Sequence, residues 1–109
     1  MERIYNKLVR DNIPDIIISN GETPVTRTLN DAEYKKALEE KLHEEYEEVI
    51  SSEGTERLEE LADMIEVIRA LAKDEGKTLE EIVALADQKR DKRGGFDKKI
   101  FLEKVVEKA

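Results

Sequence analysis

Apolar residues recur at helical spacing from residue 30 to about residue 51, and this pattern predicts a long helix. Its apolar positions are Leu38, Leu42 and Val49. Asn30 and Glu33 have the spacing of a capping box, which marks the start of the helix. Glu45 falls on the apolar stripe, so we expect this helix to carry a carboxylate on its buried side.

A second helix is predicted over residues 56 to about 75, with Thr55 as its cap and Gly76 at its end. Polar positions form only one narrow stripe between residues 58 and 71, which predicts that this is the central and most buried helix. The connection to the preceding helix is short, and short connections favour an antiparallel pair.

Two further helices have clear start or stop signals. Thr78 and Glu81 form another capping box, which predicts a helix over about residues 79–92 that ends at two glycines. Near the N-terminus, three isoleucines predict a short helix with Pro14 in its first turn and Gly21 at its end. These isoleucines are Ile13, Ile16 and Ile17.

Residues 23–29 and 99–106 are ambiguous, because both are β-branched or alternating. We expect a small strand pair, although residues 102–105 could equally be helical. The predicted fold class is therefore mainly all-α, an antiparallel bundle of four to five helices. Four or five short helices cannot easily cover a second helix that is this apolar. We therefore expect oligomerisation, as a dimer or tetramer, to complete the fold.

Composition limits the classes of function. The chain has 109 residues, enough for one domain over residues 1–109. Its formal net charge of -8 argues against general attraction to nucleic acid. It has no cysteine, no secretory leader pattern and no apolar run near the about 20 residues needed to cross a bilayer, so we expect a cytoplasmic protein without a membrane partner.

Carboxylates with matching spacings stand on the first two long helices. Glu44, Glu45 and Glu48 lie at i, i+1 and i+4 on the first, and Glu60 and Asp63 lie at i and i+3 on the second. If the two helices are antiparallel, the two groups lie at nearly the same level along the bundle. Glu45 and Glu48 share a face of the first helix, so each helix then offers a pair of carboxylates to one shared site.

Carboxylates brought this close repel one another, so the arrangement requires protonation or a cation between them. Oxygen ligands select a hard cation, and Mg²⁺, which prefers to complete its shell with water and phosphate oxygens, is the natural candidate. The plainer interpretation is a solvated acidic face, and we assign Glu39, Glu40 and Glu47 to solvent on that basis. His43 is expected to face away from the site.

At three stretches the chain resembles the MazG-like all-α nucleotide pyrophosphohydrolases, specifically their phosphoribosyl-ATP pyrophosphohydrolase-like branch. The stretches are residues 5–14 (YNKLVRDNIP), residues 41–48 together with 60–63, and residues 89–96. Asn12 departs from that branch, where lysine is more frequent. Together the stretches span nearly the whole chain.

The resemblance implies Mg²⁺-dependent hydrolysis, with Mn²⁺ as a substitute, of a nucleoside triphosphate or related nucleotide to the monophosphate and pyrophosphate. Removal of non-standard nucleotides is one role consistent with it. The implied metal ligands are Glu45, Glu48, Glu60 and Asp63. Glu44 would be a further ligand or the base for the attacking water. The basic residues ranked highest for the substrate phosphates are Lys7, Arg10, Lys89 and Arg93.

Other functions stay open at this point. One is hydrolysis of phosphoribosyl-ATP itself in histidine biosynthesis. Another is a non-catalytic helical module for oligomerisation or nucleotide binding, which would be indifferent to Mg²⁺. Tyr34, Phe96 and Phe101 could stack on a base, but core packing is the expectation for each.

Overall fold

The computed structural model describes residues 1–108 and contains four α-helices. They are α1 (Ile13–Ser19), α2 (Asp31–Ile50), α3 (Gly54–Asp74) and α4 (Leu79–Arg93). The prediction of an all-α fold is confirmed. No strand forms within residues 1–108, so the predicted pair is absent: residues 23–29 and 99–106 have no regular structure. Neither segment has a neighbouring strand to satisfy its backbone groups, and alternation of side chains alone does not supply one.

The capping boxes predicted for α2 and α4 are both present. The Asn30 side chain accepts a hydrogen bond from the Glu33 backbone N–H at 2.9 Å, and the Glu33 carboxylate accepts from the Asn30 N–H at 3.2 Å. Thr78 and Glu81 make the equivalent pair of bonds, both at 3.1 Å. Each box satisfies backbone donors that have no partner inside the helix.

The predicted cap of α3 is wrong. The helix begins at Gly54, with Glu53 in the cap position and no side-chain cap hydrogen bond, so Thr55 already lies inside it. Gly54 has φ +60°, a conformation that costs glycine little, and this lets the chain turn into α3 ahead of Thr55. The Arg57 Nε donates to the Ser52 carbonyl at 2.8 Å and so stabilises the turn.

Helices α2 and α3 form an antiparallel pair, and the apolar core of the single chain is small. Leu38 of α2 and Val67 and Ala72 of α3 are its buried apolar side chains. Helix α3 is the central helix, as predicted, because both α2 and α4 pack on it, but one long face of α3 remains open to solvent. On that face Leu58 is 66% exposed, Leu61 40% and Ile65 46%.

The chain is elongated. It measures 68 × 33 × 26 Å with a radius of gyration of 19.0 Å, against about 13 Å for a compact domain of this length. Within residues 1–108, α4 packs on α3 but not on α2, and α1 packs on no other helix. No helix in that part of the chain is long and apolar enough to cross a membrane.

Candidate metal centre

Three carboxylates meet where α2 and α3 pack side by side. Glu45 from α2 and Glu60 and Asp63 from α3 each offer one oxygen, and these oxygens all lie within 4.8 Å of one another. We call these three residues the carboxylate cluster. Glu45 is buried, and the other two are half-buried. The antiparallel pairing and the i, i+3 spacing on α3 together bring the three residues to one level.

The surroundings of the cluster favour the protonated form of two of its members. Burial raises the pKa of Glu45, and the nearby charges of Asp63, Glu44 and Glu48 add to that effect. Desolvation also raises the pKa of Glu60, together with the charges of Glu48, Asp63 and Glu45. The metal-free cluster therefore holds negative charge at an energetic cost that a bound cation would offset.

Glu44 differs from its neighbours because it has two cationic partners. Its carboxylate lies 3.0 Å from Lys7 Nζ and 3.2 Å from Lys41 Nζ. Desolvation acts to raise the pKa of Glu44, but the hydrogen bonds and charges of the two lysines outweigh it and hold that pKa below its usual value. Glu44 is therefore ionised, but it is a weaker base than its neighbours.

Lys41 belongs to the site, although no role was predicted for it from the sequence. Its ammonium also lies 3.8 Å from Glu45. The i, i+3 and i, i+4 spacings from Lys41 to Glu44 and Glu45 are the signal that could have identified it.

Glu48 is the predicted metal ligand that stands apart from the cluster. It is exposed, and the three-oxygen grouping does not include it. Its charge nevertheless acts on Glu45, Glu60 and Lys7, so it lies on the same side of the hairpin. Its predicted role as a ligand stays a prediction.

Two basic residues from the N-terminal segment reach the site. Arg10 Nη2 lies 2.6 Å from Asp63 Oδ1, although 53 residues separate them in the chain. Lys7 Nζ donates a hydrogen bond to the Glu44 carboxylate, and this bond raises the pKa of Lys7. The YNKLVRDNIP segment thus passes across the carboxylates and places both predicted phosphate-binding residues beside them.

The basic end of α4 does not reach the site within this chain. Lys89 and Arg93 lie exposed in the last turns of α4, and no ion pair of residues 1–108 joins either of them to a carboxylate of the cluster. The fold of a single chain therefore does not place these two residues beside the cluster, and their contact with substrate phosphates stays a prediction.

The remaining candidates lie elsewhere. His43 Nε2 lies 2.9 Å from Glu47, and its ring stacks on Tyr46. Phe96 is 98% exposed and Phe101 86%, so the prediction that they pack in the core is wrong within this chain. Both residues follow α4, in a stretch without helix or strand.

The donor set of the cluster suits a hard divalent cation. All three donors are carboxylate oxygens, and they come from rigid helices that fix their separations. Three protein oxygens leave positions of an octahedral shell for water and for a ligand. The cluster is therefore a group of carboxylate oxygens that could hold a metal ion.

The comparisons with known proteins give a short local match. An uncharacterised protein of Mycolicibacterium smegmatis is 56% identical over 43 residues, which make up 39% of this chain and 44% of that protein. The matched region thus spans less than half of that relative. No protein-family model matches the chain, and no solved structure matches it.

Proposed function

We propose that this chain is a Mg²⁺-dependent nucleotide pyrophosphohydrolase, which converts a nucleoside triphosphate or related nucleotide to the monophosphate and pyrophosphate. The observation that carries the proposal is the carboxylate cluster, whose oxygens lie within 4.8 Å of one another beside two basic side chains. Anionic donors next to cationic ones suit a metal-bound phosphate ester. The position of the broken bond, between the α and β phosphates, comes from the resemblance alone.

The cluster would hold the ion through Glu45, Glu60 and Asp63, with Glu48 as a fourth ligand. When bound, Mg²⁺ neutralises phosphate oxygens, polarises phosphorus and lowers the pKa of a coordinated water. Hydrolysis by water needs no covalent nucleophile from the protein. The two helices would keep the carboxylates in place, and the protein would mainly position the reacting groups.

The side chains around the cluster would bind and orient the nucleotide. Lys7 and Arg10 already stand beside the carboxylates and would donate hydrogen bonds to phosphate oxygens. Glu44, ionised through its two lysine partners, would accept a hydrogen bond from the attacking water and orient it. Lys89 and Arg93 would join only when a second chain or a bound ligand brings α4 nearer.

The test is release of pyrophosphate from a panel of nucleoside triphosphates and phosphoribosyl-ATP, with Mg²⁺ or with EDTA. We expect pyrophosphate with Mg²⁺ and none with EDTA. Asp63→Asn and Glu48→Gln should each abolish activity and keep the fold, because each removes a charge with little change of shape. Glu47→Gln is the matched control, since Glu47 is exposed and faces His43.

The outcomes separate the alternatives. Turnover of phosphoribosyl-ATP alone would assign the chain to histidine biosynthesis. No product from any nucleotide would leave a non-catalytic helical module. Wild-type activity in either site variant would refute the assignment of that residue.

We also propose that the functional unit is a homo-oligomer. The accessible surface of the single chain is 10283 Å². A compact protein of 12.6 kDa exposes about 6,200 Å². The excess of about 4,000 Å² per chain is more than the about 1,000–2,500 Å² that each partner buries in an obligate interface. Within residues 1–108 the seven-residue α1 packs on no other helix, and a helix this short is marginal alone.

A second copy is the partner we propose, because one chain carries both an acidic and a basic surface. Helix α2 is rich in glutamate, whereas the last turn of α4 holds Arg90, Lys92 and Arg93. Analytical ultracentrifugation should give a multiple of 12.6 kDa at micromolar concentration. Leu61→Glu, on the open face of α3, should shift the protein toward monomer. A wild-type monomer would contradict the proposal.

A further inference from the structure

Cations of the protein itself occupy the surroundings of the carboxylate cluster. Arg10 donates to Asp63 Oδ1 at 2.6 Å, and Lys7 donates to Glu44 Oε1 at 3.0 Å. Both come from the segment that precedes α1, far along the chain from their partners. The Lys7 ammonium also lies 5.9 Å from the centre of the Tyr5 ring, a cation–π contact within the same segment.

The Asp63 carboxylate takes part in two interactions. It contributes an oxygen to the cluster with Glu45 and Glu60, and it accepts the Arg10 hydrogen bond. A divalent ion on the cluster would withdraw electron density from Asp63 and would repel the adjacent guanidinium. Both effects weaken the Arg10–Asp63 bond, so ion and arginine oppose each other at this residue.

We propose that Arg10 competes with the metal ion for Asp63. In the metal-free protein Arg10 is bound to Asp63, and when the ion binds, Arg10 is released to the substrate phosphates. This inference rests on the proposed function, since it concerns regulation of the same site. Arg10 is suited to both tasks because a guanidinium binds carboxylate and phosphate with the same planar donors. Its exposed position leaves it free to move between them.

The consequence is an ordered assembly of the site. Without the ion, Arg10 is engaged by Asp63 and is a poor phosphate ligand. With the ion, Asp63 no longer needs a cationic partner, and Arg10 faces the phosphates that the ion also attracts. Nucleotide without metal therefore meets a site whose arginine is occupied and whose carboxylates repel it.

A purely structural role for Arg10 predicts the opposite sign. If Arg10 only fixed the position of Asp63, its removal would loosen the cluster and weaken metal binding. If Arg10 competes with the ion, its removal strengthens metal binding. The direction of the change in affinity separates the two roles without any measurement of turnover.

The experiment compares Mn²⁺ binding to wild type, Arg10→Ala and Arg27→Ala by the electron paramagnetic resonance signal of free Mn²⁺, without nucleotide. Arg27→Ala is the matched control, because Arg27, in the irregular segment before α2, pairs with Glu33 of α2 at 3.2 Å and its loss changes the net charge equally. Glu33 lies twelve residues before Glu45, about 18 Å along the axis of α2.

We expect Arg10→Ala to bind Mn²⁺ about three- to tenfold more tightly than wild type, from the lost ion pair and the lost repulsion. Arg27→Ala should stay within about twofold of wild type. Equal or weaker binding by Arg10→Ala would overturn the inference while the proposed function stands. Absence of Mn²⁺ binding by wild type and both variants would instead refute the metal site, and the inference with it.

A second readout follows Arg10 itself. In ¹⁵N NMR the Arg10 Nε–H signal, identified by its absence in Arg10→Ala, should shift when Mg²⁺ is added, whereas the Arg27 signal should stay. An Arg10 signal that does not move in a protein that binds Mg²⁺ would contradict release of the side chain.

Discussion

Replacing Glu45 by glutamine should stabilise the metal-free protein, although Glu45 is among the few buried residues of the chain. The substitution keeps the shape of the side chain and removes one negative charge from the carboxylate cluster. A residue retained only for packing would show no such gain. The prediction therefore tests whether the fold tolerates an unfavourable charge at this position.

The magnitude follows from the distance between the carboxylates. Glu45 and Asp63 oxygens lie at most 4.8 Å apart. Two like charges at that distance repel by about 0.9 kcal/mol in water and by about 3.5 kcal/mol at an effective dielectric constant of about 20. Asp63 is partly exposed and neutralised by Arg10, so the low end applies. We expect a gain of about 1 kcal/mol, which raises the Tm by about 4–8 °C.

Mg²⁺ should reverse the order of stability. Wild type gains RT ln(1 + [Mg²⁺]/Kd), about 2.7 kcal/mol at a hundred times Kd, whereas Glu45→Gln has lost a ligand and gains less. The assay is thermal unfolding of both proteins at equal concentration, in EDTA and in saturating Mg²⁺. Glu47→Gln, which changes an exposed neighbour, should follow wild type in both conditions.

The advantage of Glu45→Gln should also depend on pH. The folded state raises the pKa of Glu45, mainly through burial, so it favours the protonated form. The penalty is absent below the unfolded-state pKa of about 4.3, grows as pH rises through the folded pKa, and is complete above it. The gain should therefore be present near neutral pH and vanish toward about pH 4. A less stable Glu45→Gln in EDTA at neutral pH would refute the reasoning.

Three further predictions concern the site and its scaffold. Mn²⁺ affinity should fall as the pH is lowered from neutral toward about 4, because Glu45 and Glu60 have raised pKa values and must lose protons to bind the ion; affinity independent of pH would contradict this. Asn30→Ala should lower the free energy of unfolding by about 0.5–2 kcal/mol in urea titration through loss of the capping box, with Mn²⁺ affinity unchanged. Leu38→Ala, in the core between α2 and α3, should cost about 2–5 kcal/mol in the same titration, and a cost below about 1 kcal/mol would show that this core is not a main source of stability.

The helices could be predicted from the sequence because their signals are local. Both capping boxes form as the spacing of Asn30 with Glu33 and of Thr78 with Glu81 indicates. The start of α3 could not be predicted as well, because Thr55 is a good capping residue but Gly54 allows the chain to turn one residue earlier. Competition between two local signals decides such a boundary.

The candidate site could be predicted only in part. Helical spacing and antiparallel pairing bring together Glu45, Glu60 and Asp63, and both features could be read from the sequence. The role of these residues in metal binding stays a prediction. The carboxylates with which Lys7 and Arg10 pair depend on the path of an irregular segment. No periodicity in the sequence specifies that path.

The exposure of α3 and of the aromatic rings near the C-terminus could not be predicted from apolar periodicity. That pattern identifies faces that need covering but does not say whether the same chain covers them. Leu58 and Phe96 are apolar enough for a core, yet both are largely exposed in the single chain. A homo-oligomer is our proposal for what covers such faces.

The most direct test of the central claim is ³¹P NMR of a nucleoside triphosphate panel incubated with the purified protein and Mg²⁺. We predict signals of a monophosphate and of pyrophosphate from at least one nucleotide, abolished by EDTA and by Asp63→Asn and retained in Glu47→Gln. Release of inorganic phosphate with a diphosphate product would contradict cleavage between the α and β phosphates. Unchanged spectra for every nucleotide would contradict the proposed enzyme altogether.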